Sequence, residues 1–393
     1  MTTGMTAHKS GALSKLQRYL LPSFIVFSYH FSFRMFFAFV PIHLKETGLT
    51  QGEIGALFSL IPLALIAFTA PFGLMSDRYP PGRAAAAGMV VLGASVFMMR
   101  HAGGVGETAL LFAGIGAGTA MFRTNMNSLY LKTMGAGSRS MKLAVFNSLQ
   151  QFGYGLGPFV GGYLLLRTDL REIFAVSAAV LAPFVALSFL LPRAVLERPR
   201  MADYAVDLRK RSVWCFLLIV FVFAIHFGVE DVCFTLFMKE NLGMGGSAIG
   251  NVFLVIAVTL VFFTLVSGWA GGRAAVPPPL LYCGLLLSGT FNFSMLFVHS
   301  VYQLLAVKVL HVAGDAMYLL FFQIALAELF PSARVGAPVG LTATLTIAGT
   351  LAGCLIGGAL PGYALPFGVA GALTAAMALV AALFFSFLRR ERT

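Results

Sequence analysis

Three short segments of this sequence hold the residues best suited to chemistry. In each, a histidine is followed four residues later by a charged side chain, in the pairs His30/Arg34, His226/Glu230 and His311/Asp315. Residues four apart lie on one face of a helix, so each pair places an imidazole beside a charge. Because histidine changes its charge near neutral pH, the spacing indicates proton exchange or the binding of a charged ligand.

Further charged residues stand close to these pairs. Lys308 lies three residues before His311 on the same helix face, and Asp231 directly follows Glu230. Two adjacent carboxylates repel each other when both are ionised, so one of them tends to keep its proton. Either Glu230 or Asp231 is therefore a candidate proton carrier. The spans contain three basic and three acidic residues of this kind, so some of them are expected to pair. They are Arg34, Arg123 and Lys308, and Glu230, Asp231 and Asp315. The alternative is that they form static salt bridges without contacting a substrate.

The elements that hold these residues are long apolar runs. Of 393 residues, 59% are hydrophobic and only 11% are charged, whereas soluble domains carry about 25% charged residues. A helix needs about 20 apolar residues to cross a bilayer, and the strands of a membrane barrel are about half as long. The sequence therefore predicts an all-α integral membrane protein with twelve spans, at about 20–44, 52–76, 83–100, 108–131, 141–166, 172–191, 213–238, 247–271, 279–299, 301–329, 336–360 and 365–388.

The buried charges are confined to four of these spans. Spans one, four, seven and ten hold all the residues named above, and the other eight have no ionisable residue well inside them. A charge at the centre of a membrane helix costs at least about 2.5 kcal/mol, so such residues normally face a protein interior or a watery cavity. The charged faces of these four helices are therefore predicted to line a central cavity.

Basic residues predict the orientation of the chain. With both termini in the cytoplasm, 19 of the 27 Lys and Arg residues fall on the cytoplasmic side and only five on the opposite side. Such a bias is typical of membrane proteins and sets their topology. The net charge of +12 is accounted for in this way, and no nucleic-acid partner is needed to explain it.

The chain repeats itself after 196 residues. The segment "HFSFR" at 30–34 matches "HFGVE" at 226–230, "GTAMF" at 118–122 matches "GDAMY" at 314–318, and "GPFVGG" at 157–162 matches "GCLIGG" at 353–358. We predict an N-terminal bundle at 1–192, a cytoplasmic linker at 193–211 and a C-terminal bundle at 212–393. Two parallel six-helix repeats are a transporter architecture, with the substrate bound near the midplane.

A polar loop between the second and third spans resembles a known signature. The segment "GLMSDRYPPGR" at 73–83 is similar to the loop that major facilitator superfamily (MFS) transporters carry at this place, with Gly73, Asp77, Arg78 and Arg83 at matching positions. It is longer than usual by one residue. The resemblance covers the whole chain and implies twelve helices in two pseudo-symmetric six-helix bundles. It also implies that these charges form a conformational latch, although the arginines could simply follow the positive-inside bias.

A second motif bears on the direction of transport. In the fifth span, "GYGLGPFVGG" is similar to the glycine-proline pattern of proton-coupled antiporters of this family, with the residues Gly153, Gly157, Pro158, Gly161 and Gly162. The fourth span lacks the arginine usual in that group, because Leu110 stands there. Export is thus favoured by one pattern and unsupported by the other. The alternative explanation of the glycines is that small residues allow close packing between helices.

The hypothesis for the charged residues divides them by task. Arg34 and Arg123 would hold an anionic substrate group, and protons would move through the carboxylates with His311. The predicted substrate contacts are Arg34, Arg123, Asn127, Lys308, His30 and His226, and the predicted proton-coupling residues are Glu230, Asp231, His311 and Asp315. No metal or other cofactor is expected.

The leading functional prediction is a secondary active transporter, a monomer by resemblance, that moves a small polar or anionic organic solute across a bacterial inner membrane with protons. A proton-driven antiporter that exports drug-like compounds is the main alternative. A transition-metal transporter is less favoured, because three cations accompany the histidines and acids. An enzyme is disfavoured because the sequence has no HExxH, GxSxG or phosphate loop, and a membrane sensor because no output domain is visible.

Overall fold

The computed structural model describes residues 20–76, 80–133, 139–191, 210–271, 278–329 and 336–392. These residues form twelve long helices and no strand. The helices are α1 (Leu21–Phe37), α2 (Gln51–Ser76), α3 (Pro81–Met99), α4 (Val105–Thr133), α5 (Arg139–Leu164), α6 (Leu170–Ser188), α7 (Arg211–Val229), α8 (Gly246–Gly271), α9 (Pro278–Phe293), α10 (Val301–Leu329), α11 (Gly336–Ala359) and α12 (Leu365–Arg392).

Three of the helices, α1, α7 and α9, are followed directly by a short segment of different helical geometry or by a break and a short helix. After a break, α1 is followed by the short helix Val40–Glu46, which has a proline in its first turn, and α9 ends in a 3₁₀ turn at Ser294–Phe297. Two π-helical segments, Glu230–Phe234 and Phe237–Asn241, extend α7. Eleven helices in the described part of the chain are long and apolar enough to cross a membrane. The remaining long helix, α5, has 26 residues and a more polar first half.

The chain packs into two compact units. Unit 1 contains Met1–Phe37 and Ala64–Arg198, and unit 2 contains Ala38–Leu63 and Pro199–Thr393. The first turns of α2 thus belong with the C-terminal helices. There the Gln51 Nε2 donates to the carbonyl oxygens of Gly357 at 2.6 Å, Leu360 at 3.0 Å and Gly362 at 3.0 Å. The linker predicted at 193–211 lies outside the described residues except for its last two, so the predicted domain boundaries stay a prediction.

The 196-residue repeat is visible as matching helix contacts. In unit 1, a β-carbon at Gly118 of α4 would lie 2.6 Å from the Leu92 nitrogen and 2.8 Å from the Gly88 oxygen of α3. In unit 2, a β-carbon at Gly314 of α10 would press on the Ser288 nitrogen and lie 2.9 Å from the Gly284 oxygen of α9. Each contact residue in unit 2 is the one 196 positions after its counterpart in unit 1, so the internal repeat predicted from the sequence is confirmed.

Glycines also bring α5 close to α1. A β-carbon at Gly153 would lie 2.9 Å from the Phe27 oxygen and 3.1 Å from His30 Cβ. One at Gly157 would lie 2.5 Å from the Phe31 oxygen and 3.1 Å from Arg34 Cβ. Small residues at these positions therefore let α5 pack on the face of α1 that carries the His30/Arg34 pair.

Candidate functional site

Five of the predicted site residues meet between α7 and α10. We call this group, which lies within unit 2, the α7–α10 cluster; its members are His226, Glu230, Lys308, His311 and Asp315. Four of them are buried, with exposed fractions of 0% for His226, 1% for Lys308 and His311, and 7% for Asp315. The Glu230 side chain is 27% exposed. Spacing along each helix gave the pairs, and the fold adds the contacts between the two helices.

Ion pairs join the cluster. Lys308 Nζ pairs with Glu230 Oε1. His311 Nε2 lies 3.3 Å from the same Glu230 oxygen and 3.3 Å from Asp315 Oδ2. His226 Nε2 lies 3.7 Å from Asp315 Oδ2. One imidazole thus stands between two carboxylates, and a lysine accompanies only one of them.

The Nδ1 nitrogens of both histidine rings face backbone carbonyl groups. His226 Nδ1 contacts the Phe223 oxygen of its own helix. His311 Nδ1 lies 2.9 Å from the Ser288 oxygen and 3.3 Å from Ser288 Oγ on α9. Sequence reasoning missed Ser288, because an uncharged serine in an apolar span carries no signal of such a contact.

Aromatic rings enclose Lys308. Its Nζ lies 4.4 Å from the ring centre of Phe234 and 5.2 Å from that of Phe367 on α12, within the range of cation–π attraction. Phe234 and Glu230 are the two ends of one π-helical segment. Such segments widen a helix locally and are frequent at functional sites. The π turn therefore supplies both the anion and one of the rings that hold the lysine.

Asp231 lies on a different face of the helix from Glu230. It directly follows Glu230 at the start of the π-helical segment and is half-buried. Successive helical residues point roughly 100° apart, so Asp231 does not share the face of Glu230. Glu230 makes the contacts with Lys308 and His311 described above.

A second polar group lies in unit 1, on α1 and α5. The Arg34 guanidinium carbon stands 4.1 Å from the ring centre of Tyr154 and 5.3 Å from that of Phe37. The His30 ring lies 4.8 Å from the Tyr154 ring, so one tyrosine contacts both members of the pair. Tyr154 was not singled out from the sequence, although it stands inside the "GYGLG" motif.

The predicted polar residues of α4 lie in varied surroundings. Arg123 is half-buried and Asn127 is exposed. Asn125 is buried and donates to the Met121 oxygen of its own helix at 2.7 Å. In α1, α4 and α5 the only acidic residue is Glu107, in the first turn of α4. Arg34 and Arg123 therefore sit on helices that offer no carboxylate at their depth.

The family-signature positions are only partly described. Gly73 belongs to α2 and Arg83 is exposed in the first turn of α3, whereas Asp77 and Arg78 lie outside the described residues. In α5, Pro158 stands inside the helix, and Gly161 and Gly162 are buried, as are Gly153 and Gly157. The predicted latch thus stays a prediction.

Three members of the α7–α10 cluster have the atom types of a metal site. Ligand atoms of His226, His311 and Asp315 all lie within 4.8 Å of one another. In a tetrahedral zinc site with bonds of about 2.1 Å, neighbouring ligands are about 3.4 Å apart. Two of the observed separations are close to that spacing, because Asp315 Oδ2 lies 3.3 Å from His311 Nε2 and 3.7 Å from His226 Nε2.

Comparison with known proteins agrees with these observations. The family model described as Major Facilitator Superfamily matches residues 23–237 and 217–393. Multidrug resistance protein MdtG of Salmonella paratyphi B is 24% identical over 306 residues, which are 73% of this chain and 74% of that protein. The uncharacterized MFS-type transporter MJ1560 of Methanocaldococcus jannaschii is 25% identical over 178 residues, 44% of this chain and only 43% of that protein.

The fold matches a solved structure over nearly its full length. A bacterial homolog of the human lysosomal transporter Spinster, in an inward-facing and unoccupied conformation, superposes with a TM-score of 0.73 at 14% identity and covers 94% of this chain and 95% of that one. The predicted fold of twelve membrane helices in two pseudo-symmetric bundles is thereby confirmed. This chain is an integral membrane protein that belongs to the major facilitator superfamily of transporters.

Proposed function

We propose that this protein is a secondary active transporter that moves a small anionic organic solute together with protons across a bacterial inner membrane. One observation carries the proposal, namely the separation of charge between helices. Arg34 and Arg123 lie on helices with no acidic residue at their depth, whereas Glu230 and Asp315 lie with two histidines in the α7–α10 cluster. An anion suits the first group, and a proton suits the second.

Arg34 is well placed to bind an anionic group. A guanidinium whose face lies on an aromatic ring can form paired hydrogen bonds to a carboxylate or phosphate along its edge. Tyr154 and Phe37 provide such stacking at 4.1 Å and 5.3 Å from the guanidinium carbon. Arg123 would add a second positive charge from α4. An arriving anion would offset charges whose burial in the membrane is otherwise costly.

The α7–α10 cluster is suited to bind one proton. If both histidines are neutral, Lys308 contributes one positive charge and Glu230 and Asp315 contribute one negative charge each, so the cluster carries one net negative charge. A single added proton makes this buried group neutral. Because an uncompensated charge in a membrane interior is unfavourable, proton uptake and release can be linked to which side of the membrane the protein opens toward.

Drug export by proton antiport is the second candidate. The relative MdtG is called a multidrug resistance protein, and α5 carries "GYGLGPFVGG" with Gly153 and Gly157 in tight contact with α1. The two arginines favour an anionic substrate over a cationic one. In both cases the termini are proposed to lie in the cytoplasm.

The test is a transport assay on purified protein in liposomes that enclose a pH-sensitive dye. Solutes are added one class at a time, anionic solutes first, with and without an imposed pH gradient. Proton entry that starts only when an anion is added on the same side supports the proposal. Proton movement opposite to the solute identifies an antiporter. Solute flux without proton movement contradicts the coupling, and flux of a divalent metal alone supports metal transport instead.

A matched pair of variants ties the flux to the residues. Asp315→Asn keeps the size of the side chain but removes its charge, and it is expected to abolish proton-driven uptake. Asp169→Asn serves as the control, because Asp169 caps the first turn of α6 through its oxygen and asparagine can do the same. Equal proton coupling in both variants would refute the assignment of Asp315.

A further inference from the structure

We propose that His226, His311 and Asp315 form a binding site for one divalent transition-metal ion, such as Zn²⁺, between α7 and α10. The two histidines would bind the ion through Nε2 and the aspartate through Oδ2. The proposal goes beyond the proposed function, because it concerns an ion that the protein holds and its argument uses only contacts within unit 2.

The spacing of the ligand atoms is the first observation. Asp315 Oδ2 lies 3.3 Å from His311 Nε2 and 3.7 Å from His226 Nε2. Ligands at about 2.1 Å from a tetrahedral zinc ion are about 3.4 Å apart, so both distances differ from that value by at most about 0.3 Å. One ligand atom from each of the three residues also lies within 4.8 Å of the other two. The three side chains therefore converge on one point.

The second observation is that both Nε2 atoms are buried without a hydrogen bond. Among the described residues neither His226 Nε2 nor His311 Nε2 has a hydrogen-bond partner, although both lie at ion-pair distance from Asp315. The two histidines are 0% and 1% exposed. A buried polar atom without a partner is costly, and a bound ion is one explanation for such an atom. One ion beside Asp315 Oδ2 would satisfy both nitrogens together.

The Nδ1 contacts suit histidines that bind a metal through Nε2. Metal-ligating histidines commonly donate the hydrogen of their other ring nitrogen to a carboxylate or a backbone carbonyl, which orients the ring. His226 Nδ1 contacts the Phe223 carbonyl, and His311 Nδ1 lies 2.9 Å from the Ser288 carbonyl. Ser288 Oγ, 3.3 Å from the same nitrogen, can donate or accept and is compatible with this arrangement. Each ring thus has an acceptor behind it.

The donor set indicates the class of ion. Two imidazole nitrogens and one carboxylate oxygen suit Zn²⁺ and neighbouring transition metals, whereas Mg²⁺ and Ca²⁺ are bound mainly by oxygen ligands. Three protein ligands leave the fourth position of a tetrahedral site for water or an anion. We therefore expect a zinc-type site with one exchangeable ligand.

Glu230 and Lys308 bear on the charge of the site and on access to it. Glu230 Oε1 lies 3.3 Å from His311 Nε2, but it also pairs with Lys308, so it stands beside the three ligands. The charges of that pair cancel, and a divalent ion with Asp315 would carry one net positive charge. An anion in the fourth position would make the site neutral. The Glu230 side chain is 27% exposed and marks the side from which an ion can enter.

The expected consequence is inhibition of transport. A bound ion would occupy Asp315, the carboxylate to which the proposed function assigns proton coupling. This consequence rests on the proposed function, whereas the binding of the ion does not. The test therefore measures binding alone.

The experiment titrates Zn²⁺ into the full-length protein in detergent by calorimetry at one fixed pH, after cleavage of the purification tag and treatment with a chelator. We expect one Zn²⁺ per chain and no comparable binding of Mg²⁺. His226→Gln and Asp315→Asn should each weaken Zn²⁺ binding at least about tenfold, because even changes behind the ligands cost about 10–100-fold. The control is His299→Gln, an exposed histidine outside the cluster, which should leave the affinity unchanged.

X-ray absorption of the bound zinc identifies its ligands directly. The wild type is expected to show two imidazoles with oxygen donors and no sulfur, and His226→Gln to show one imidazole fewer. If His226→Gln does not fold, the wild-type spectrum and the Asp315→Asn titration carry the same comparison.

Several results would overturn the proposal. They are the absence of stoichiometric Zn²⁺ binding, an affinity that both variants retain, sulfur among the zinc ligands, and equal binding of Mg²⁺. Absence of Zn²⁺ binding would leave the proposed proton coupling standing, and absence of proton coupling in liposomes would leave a measured zinc site standing. The two failures are therefore distinguishable.

Discussion

Lys308 on α10 and Glu230 on α7 form an ion pair that links two helices of unit 2 through side chains. The lysine is almost completely buried, and two aromatic rings lie over its ammonium group. The glutamate keeps some exposure and also contacts His311. The pair therefore belongs to the α7–α10 cluster and is also a contact between helices.

Removing one member of this pair should destabilise the protein more than removing both. Lys308→Met leaves Glu230 without its cation, and we expect a loss of about 3 kcal/mol, the low end for a buried pair because Glu230 is partly exposed. Lys308→Met combined with Glu230→Gln should regain much of this loss. Thermal unfolding of the two single variants and the double variant gives the coupling energy. Additive losses would contradict a direct pairing.

The stacking of Arg34 on Tyr154 predicts a difference between conservative substitutions. Arg34→Lys keeps the charge but loses the flat guanidinium, and we expect the KM for an anionic substrate to rise about tenfold, equivalent to about 1.4 kcal/mol. Tyr154→Phe keeps the ring face and should keep the KM within about twofold. Initial rates of solute uptake in liposomes measure both. An unchanged KM in Arg34→Lys would exclude Arg34 from substrate binding.

The repeated glycine contacts predict equal sensitivity in the two units. Gly118→Ala and Gly314→Ala each force a methyl group against the backbone of a neighbouring helix, and each should cost about 1–3 kcal/mol in stability. Gly106→Ala is the matched control, because nothing lies within 4 Å of the added carbon. That substitution should be neutral or slightly stabilising, since alanine favours a helix over glycine. Thermal unfolding of the three variants tests the comparison.

The three carbonyl contacts of Gln51 predict a strong effect of a nearly isosteric change. Gln51→Glu replaces the donating amide with an acceptor that faces three carbonyl oxygens, and we expect a loss of about 1–3 kcal/mol. Gln303→Glu is the control, because Gln303 uses its oxygen to accept from the His299 backbone and glutamate retains that bond. Similar unfolding midpoints for the two variants would show that the Gln51 contacts contribute little.

The sequence was sufficient to predict the helices and their internal repeat. Membrane spans are long and uniformly apolar, so their number follows from composition, and the span predicted at 301–329 coincides with α10. The spacing of 196 residues emerged from matching segments and reappears as matching contacts of Gly118 and Gly314. Charges in hydrocarbon are costly, and their positions in the sequence indicated the two helices that carry the α7–α10 cluster.

Other features depend on contacts that sequence spacing does not reveal. Ser288 and Tyr154 are uncharged, and their roles come from their neighbours on other helices. The π-helical turn at Glu230–Phe234 has no simple sequence pattern, although it begins at the acid that pairs with Lys308. The break after Phe37 was also missed, because the apolar run continues through it and only the proline of the following helix marks it.

The composition of unit 2 limits how the polypeptide can be divided. Ala38–Leu63 belongs to this unit although it precedes most of unit 1, and Gly55 there would place a β-carbon 2.6 Å from Gly358 Cα. Cleavage at 193–211 would leave this segment on the N-terminal fragment and most of its packing partners on the other. Neither fragment would hold all of unit 2, so fragment complementation, with both pieces synthesised in the same cell, would be required to restore it.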